Sequence, residues 1–299
     1  MSHREIVLIL HQIQEALKAT FLIHCPDQPG IISTVTSFIQ QSGGNIVYLD
    51  QHVDKQAEVF FMRLEGEFTQ FDKAESQIEE NFEKEIAVPY AMEWSVHYGN
   101  EKPKMALFVS KYNHCLYDLL IRYSSGELSV EIPFIISNHN ELQNIAKQFK
   151  IPFYHIPVTR DNKSAAEEKQ LKLLKEHMVD FIVLARYMQI VTSRLIEEYP
   201  NKIINIHHSF LPAFAGAKPY HAAFNRGVKI IGATSHYVTE ELDAGPIIEQ
   251  DTTRVSHVHK VSDFIEKGRD LEKLVLSRAV QLHVNRKTMV YNNKTVIFT

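Results

Sequence analysis

Between Met105 and Val238 the chain carries six apolar runs of strand length, MALFVS, VEIPFIIS, PFYHIPV, DFIVLA, KIINIH and KIIGATSHYV, separated by stretches with helical spacing. Runs apolar at nearly every residue have no face to offer to water, and the helices between them supply a cover for both faces. This pattern predicts an open, mostly parallel α/β sheet. The tail from Met289 to Phe298, turning at Asn292 and Asn293, reads as a hairpin, since asparagine tolerates the positive φ of tight turns.

The first third follows another rhythm. The strand FLIHC leads through the turn PDQPG into a helix from Ile31 to Gln41, and Gly43 and Gly44 open a strand through Asn45 and Leu49. A polar turn at Asp54, Lys55 and Gln56 precedes a strand from Glu58 to Leu64, a charged helix from about Gln70 to Phe82, and a strand near Tyr90 to His97. The order βαββαβ is the ferredoxin-like arrangement. With 299 residues, two domains are the expectation. The boundaries read as a helical extension over 1–19, with Ile6, Ile9, Leu10, Ile13 and Leu17 on one face, a first domain over 20–98, a linker over 99–103 and a second domain over 104–299.

Charge narrows the partners. Lysine and arginine number 32 against 36 aspartates and glutamates, a formal charge of −4, so no basic excess drives binding to nucleic acid. Cys25 and Cys115 offer neither a disulfide framework nor a zinc spacing, which fits a reducing cytoplasm. The apolar run from Ile6 to Leu10 is cut by His11, Gln12 and Gln14 and is followed by no small-residue cleavage site, so it does not read as a secretory signal, and no run approaches the roughly 20 apolar residues that cross a bilayer, so no membrane partner is expected.

Asn205 and His207 sit two apart on a predicted strand, so their side chains share one face near its carboxyl end, where open α/β sheets collect ligands. An amide donor beside an imidazole suits acyl chemistry, because both can hydrogen-bond a carbonyl oxygen as it becomes an oxyanion. Asp243, in the turn DAGP after the last apolar strand, is a carboxylate able to position a water if the fold brings it near; the same four residues also make an ordinary turn. Six of the sixteen histidines fall between His207 and His259, but neither HExxH nor paired cysteines accompany them, so no metal is expected.

The stretch VLARYMQIV together with NKIINIHHSFLPAFAGAKPYHAAFNRGVKIIGATSHYVTEELDAGPIIEQD resembles the folate-dependent formyltransferase family, and within it the formyltetrahydrofolate deformylases. The likeness extends through SKYNHCLYDLL, VEIPFIISNH, IPFYHIPVT and GRDLEKLVLSRA, while Cys25 to Ile31 followed by Asn45, Ile46 and Val47 is similar to an ACT domain. The resemblance implies catalytic Asn205, His207 and Asp243, with His207 acting protonated and His236 supporting the aspartate. It implies hydrolysis of 10-formyltetrahydrofolate by water, with no cofactor, to formate and tetrahydrofolate, the formate feeding purine synthesis. It places the pterin slot at Met188, Gln189, Ile190 and Val191 and at Val238 to Asp243, with Glu240 and Glu241. Arg186 is set either to meet a carboxylate of the folate tail or to make a surface salt bridge.

Two further expectations follow from the resemblance. Glycinamide ribonucleotide formyltransferases of this superfamily hold a phosphate on a glycine-rich loop after the first strand. Here that turn is Ser110 to His114, without glycine, which favours water over a phosphorylated acceptor, although Lys111 is able to meet a phosphate. A transferase acting on an amine and a catalytically silent amino-acid sensor are the alternatives. In the first domain, Asp27, Gly30, Ile31 and Asn45 are the expected effector site for glycine or methionine. Paired ACT domains imply a homo-oligomer.

Overall fold

A computed structural model describes residues 17–68, 75–99, 102–213 and 219–299. They form two compact units, one comprising the described residues before Lys102 together with Phe298–Thr299 and the other spanning Lys102–Ile297.

In the first unit β1 (Leu17–Pro26), α1 (Ile31–Gln41), β2 (Gly44–Asp54), β3 (Val59–Phe68), α2 (Glu75–Phe82) and β4 (Glu93–Tyr98) make the expected βαββαβ order, in a sheet ordered β2-β3-β1-β4. Ala19, Phe21, Ile23 and Cys25 alternate inward from β1, and Ile31, Val35, Phe38 and Ile39 face them from α1. The two periods meet in one core, closed by the rings of Phe82 and Trp94 at 4.5 Å.

Three local expectations change. Leu17–Ala19, assigned to a helical extension, pair in register with Gly66–Phe68 as the start of β1; residues 1–16 lie outside the described residues. The charged helix is described only from Glu75, and beyond Phe82 it continues as a π-helical turn, Glu83–Ala87. The last strand therefore starts at Glu93, later than expected, because Ala91 takes the left-handed φ of +51° and cannot continue an extended chain backwards.

The second unit holds β5 (Met105–Val109), β6 (Ile135–Ser137), β7 (Phe153–His155), β8 (Phe181–Leu184), β9 (Ile203–His207), β10 (Ile230–Tyr237) and β11 (Ile247–Arg254) in one sheet, ordered β11-β10-β9-β8-β5-β6-β7. The five strands from β9 to β7 are parallel, as their unbroken apolar character predicts. Helices α3 (His114–Ser124), α4 (Gln143–Gln148), α5 (Lys163–Glu176), α6 (Ser193–Glu198), α7 (Pro219–Arg226) and α8 (Val261–Val284) connect and cover them. Two apolar cores result, one containing Leu107, Val183 and Ile204, the other Phe108, Ile182 and Ile203, which are alternate residues of the same strands.

β10 runs antiparallel to β9, although its apolar run looks like the others. β11, IIEQDTTR, is apolar only at its first two residues and is an antiparallel edge strand that periodicity alone does not reveal. The terminal hairpin forms as β12 (Thr288–Tyr291) and β13 (Lys294–Ile297), with Asn292 at φ +52°.

Candidate active site

The reversal at β10 builds the site. Asn205 and His207 share a face of β9 by their spacing, and the antiparallel register sets His236 of β10 directly across from Asn205. After Tyr237 the chain folds back, and the Tyr237 N–H donates to the Pro246 carbonyl at 2.9 Å. Asp243 lies inside this loop in the left-handed conformation, φ +56°, one that aspartate tolerates better than most residues. Its carboxylate is thereby turned onto the two histidines. Oδ2 lies 3.2 Å from Nδ1 of His207 and Oδ1 lies 3.7 Å from Nε2 of His236. Asn205, His207, His236 and Asp243, drawn from two strands and a loop, therefore meet.

The hydrogen bonds assign atoms to roles. His236 Nδ1 is 2.8 Å from the Tyr237 carbonyl, which only accepts, so this nitrogen carries a proton. In the neutral ring Nε2 then accepts from Nδ2 of Asn205, 3.3 Å away; in the protonated ring its charge faces the Asp243 carboxylate at 3.7 Å. The imidazoles of His207 and then His236 outweigh the effect of burial and hold the Asp243 carboxyl well below the usual carboxylate range. Asp243 is thus an anion at neutral pH. His207 is 5% exposed, and its Nε2 is buried without a hydrogen-bond partner among the described residues.

The loop expected to line the pterin slot is held from behind by α5. Glu167 accepts from the Thr192 N–H at 2.9 Å and from its hydroxyl, and Gln170 Nε2 donates to the Tyr187 hydroxyl at 2.8 Å. Arg186 and Met188 have φ of +64° and +60°, so the segment is pinned in a shape such side chains rarely take. Met188 and Ile190 are exposed and Gln189 is half-buried, whereas Val191 is turned into the core. Val238 packs against the same core, Leu242 is exposed and apolar, and Glu240 and Glu241 face solvent. Val191 thus has only its backbone to present to a ligand, while Val238 is half-buried.

Arg186 is neither a surface ion pair nor free. It is 7% exposed, and its Nη1 donates to Oε2 of Glu272 on α8 at 2.9 Å. His114 Nε2 lies 2.8 Å from the same oxygen, and the Tyr220 hydroxyl donates to Oε1 at 2.7 Å. Sequence reasoning missed Glu272, Tyr220 and His114 as a cluster. The available signal was an acidic residue at 272 on the apolar face marked by Val275 and Ala279, one turn after Gly268. Lys111 pairs on the surface with Glu141 at 3.8 Å.

In the first unit the expected effector residues do not assemble. Gly30, at φ +95°, caps α1, Asp27 is exposed beside it, and the Ile31 side chain is buried in the core. Along β3, Val59 pairs with Pro26 next to that loop, while Asn45 pairs with Glu67. The eight residue steps from Val59 to Glu67 separate them by roughly 26 Å at about 3.3 Å per residue, so Asn45 and Asp27 lie at opposite ends of the sheet. The turn motif and the strand motif both favour exposed polar side chains, but the antiparallel layout keeps them apart within one chain.

A formyl transferase family model matches residues 103–280, and an ACT domain model matches residues 19–83. The formyltetrahydrofolate deformylase of Synechocystis sp. is 51% identical over 282 residues, covering 94% of this chain and 99% of that protein. That of Bacillus subtilis is 45% identical, covering 94% of each. The crystal structure of a formyltetrahydrofolate deformylase from Pseudomonas syringae pv. tomato superposes with a TM-score of 0.92 at 42% identity, covering 99% of both chains. With a whole-length likeness of this size joining an ACT unit to a formyl transferase unit, the chain belongs to the formyltetrahydrofolate deformylase family.

Proposed function

We propose that the chain hydrolyses 10-formyltetrahydrofolate to formate and tetrahydrofolate, with Asn205, His207 and Asp243 as the catalytic residues. One observation carries the assignment of roles: Asp243 is fixed as an anion on Nδ1 of His207, while the other nitrogen of that ring is buried and unpaired. In its doubly protonated form, a ring so held keeps one N–H on Asp243 and offers Nε2–H to the formyl oxygen. The second N–H of the Asn205 amide joins it, the first being engaged with His236. Both donors strengthen as the oxygen gains charge in the tetrahedral intermediate. Asp243 accepts a proton from the attacking water, the C–N10 bond breaks, and N10 leaves with a proton. His236 orients the amide and the carboxylate and is a positioning residue.

The exposed Met188, Ile190 and Leu242 supply apolar surface for the pterin ring, and the backbone of Val191 and Val238 supplies polar contacts. No cofactor enters this chemistry, and the formate released is available to purine synthesis. At the ACT unit, the separation of Asp27 from Asn45 within one chain favours a glycine or methionine site completed by a second copy, and hence a homo-oligomer. A cytoplasmic location agrees with two buried free cysteines and with no described helix being long and apolar enough to cross a membrane.

The test is incubation of the protein with 10-formyltetrahydrofolate and no acceptor, following formate and tetrahydrofolate together with Asp243→Asn as control. Equal amounts of both, lost in the variant, support the hydrolase. Formate that fails to appear until an amine is added makes the chain a transferase.

A further inference from the structure

β5 and β8 are neighbours in the sheet, yet the chain leaves β5 toward β6 and β7 and returns to β8 on the other side. Their carboxyl ends therefore mark the point where the strand order reverses, which in open α/β sheets is a crevice that receives ligands. In this chain side chains fill it. His114 opens α3 after β5, Arg186 follows β8 by two residues, and both converge on Glu272, which is 1% exposed. Tyr220 closes the cluster from α7. The Tyr112 ring, 41% exposed, lies 4.9 Å from the Arg186 guanidinium carbon on the solvent side.

The cluster is built rather than incidental. Gly268 stands one turn before Glu272, and a Cβ there would lie 2.1 Å from Cζ of Tyr220 and 2.3 Å from its hydroxyl. Glycine in mid-helix costs about 1 kcal/mol relative to alanine, and here it lets the tyrosine ring lie against the helix and reach the carboxylate. The cluster also connects to the reacting groups through neighbouring residues. Leu184, two residues before Arg186, pairs with Asn205, and the rings of His207, His208 and Tyr220 follow one another at 5.4 and 5.9 Å.

We propose that the Glu272-centred cluster of His114, Arg186 and Tyr220, covered by Tyr112, decides between hydrolysis and transfer by filling the acceptor side of the Asn205–His207–Asp243 site. This rests on the deformylase reading. In hydrolysis the C–N10 bond breaks and a C–O bond to water forms; in transfer the same bond breaks and a C–N bond to an amine forms. In both the nucleophile loses one proton and N10 gains one, so electrons and atoms balance either way and only access distinguishes them. A family model for formyl transferases matches this unit, so the backbone fold alone does not make the choice. The side chains in the crevice do.

The experiment supplies 10-formyltetrahydrofolate and a high concentration of glycinamide to the wild type, Tyr220→Ala and Tyr112→Ala, and measures formyl-glycinamide, formate and tetrahydrofolate. In the wild type, formate accounts for the tetrahydrofolate released; in the variants the fraction of formyl captured by the amine rises by roughly tenfold or more. Two folded variants that release only formate, or a wild type that formylates the amine as readily as they do, overturn the proposal. Should Tyr220→Ala fail to fold, Tyr112→Ala decides alone because its ring is exposed; complete loss of turnover there also overturns the proposal, since water attack needs no bulk in the crevice. A wild type that releases no formate without glycinamide instead refutes the deformylase reading itself.

Discussion

Nδ1 of His207 faces Oδ2 of Asp243 at 3.2 Å, joining the last residue of β9 to a loop 36 positions further along the chain. The contact exists because β10 returns antiparallel and the chain then folds back over the sheet with Asp243 left-handed. It commits one nitrogen of the histidine and leaves the other buried and available. The polarity of the site follows: an anion behind the ring, an acceptor expected in front.

Asp243→Asn keeps the shape of the side chain and removes the charge and the proton acceptor. Turnover should fall by about 10²- to 10⁴-fold with a small change in KM, because general-base assistance acts on the transition state and not on folate binding. Steady-state kinetics of formate release check this; near-normal kcat removes Asp243 from the role.

Asn205→Ala removes one oxyanion donor and should lower kcat by about 10²- to 10³-fold. His236→Ala leaves the amide in place but unanchored, so its loss should be smaller than that of Asn205→Ala, and the loss in the double variant should be smaller than the product of the two single losses. Strict multiplication of the effects means that His236 does not act through Asn205.

Much of this site is legible in the sequence because a two-residue spacing on a strand is unambiguous: Asn205 and His207 share a face whatever else the fold does. Strand direction is not encoded that way. The apolar run of β10 is like those of the parallel strands, so the pairing of His236 with Asn205 emerges only in the fold. Glu272 is hidden for a related reason, since its partners come from the start of α3, the segment after β8 and α7, none near it in sequence. The opposite error occurs in the ACT unit, where Asp27 and Asn45 both look like ligand-facing polar residues and the register sets them far apart.

Gly245 is a structural requirement of the Asp243 loop. A Cβ there would stand 1.8 Å from the Tyr237 carbonyl oxygen, which also accepts from His236. Gly245→Ala should destabilise the protein by on the order of 3 kcal/mol and lower activity, as the loop or the histidine must move. Gly126→Ala is the control: φ is +82° but nothing lies within 4 Å, so only the left-handed backbone is penalised, by about 1 kcal/mol. Urea denaturation separates the two, and equal losses contradict the steric argument.

A chelator should leave turnover unchanged. His114, Cys115 and Glu272 place ligand-type atoms within 4.8 Å of one another, the one such grouping among the described residues. Burial pushes the Cys115 thiol well up, so it stays protonated, and Arg186 already donates to Glu272. A dication would have to displace a guanidinium and deprotonate a buried thiol. Activity lost to EDTA and restored by zinc contradicts this assignment.

Glu272 also gives the cluster a pH signature. Burial alone would raise its carboxyl, but the hydrogen bond from His114, the charge of Arg186 and the Tyr220 hydroxyl outweigh it and hold the group below the usual glutamate range. In the unfolded chain a glutamate titrates near about 4.3. A group depressed on folding adds stability that is fully present above the unfolded value and is lost as pH falls through the folded one. Glu272→Gln lacks that contribution and leaves Arg186 facing a neutral partner, so it should melt well below the wild type at pH 7. On acidification below about 4.3 the wild-type carboxyl gains a proton and comes to resemble the amide, so the gap between the two melting temperatures should narrow. Thermal denaturation of both proteins across this range reads the difference directly, and general acid lability cancels in the comparison. A gap that stays constant or widens as pH falls means that Glu272 is not held as an anion in the folded protein.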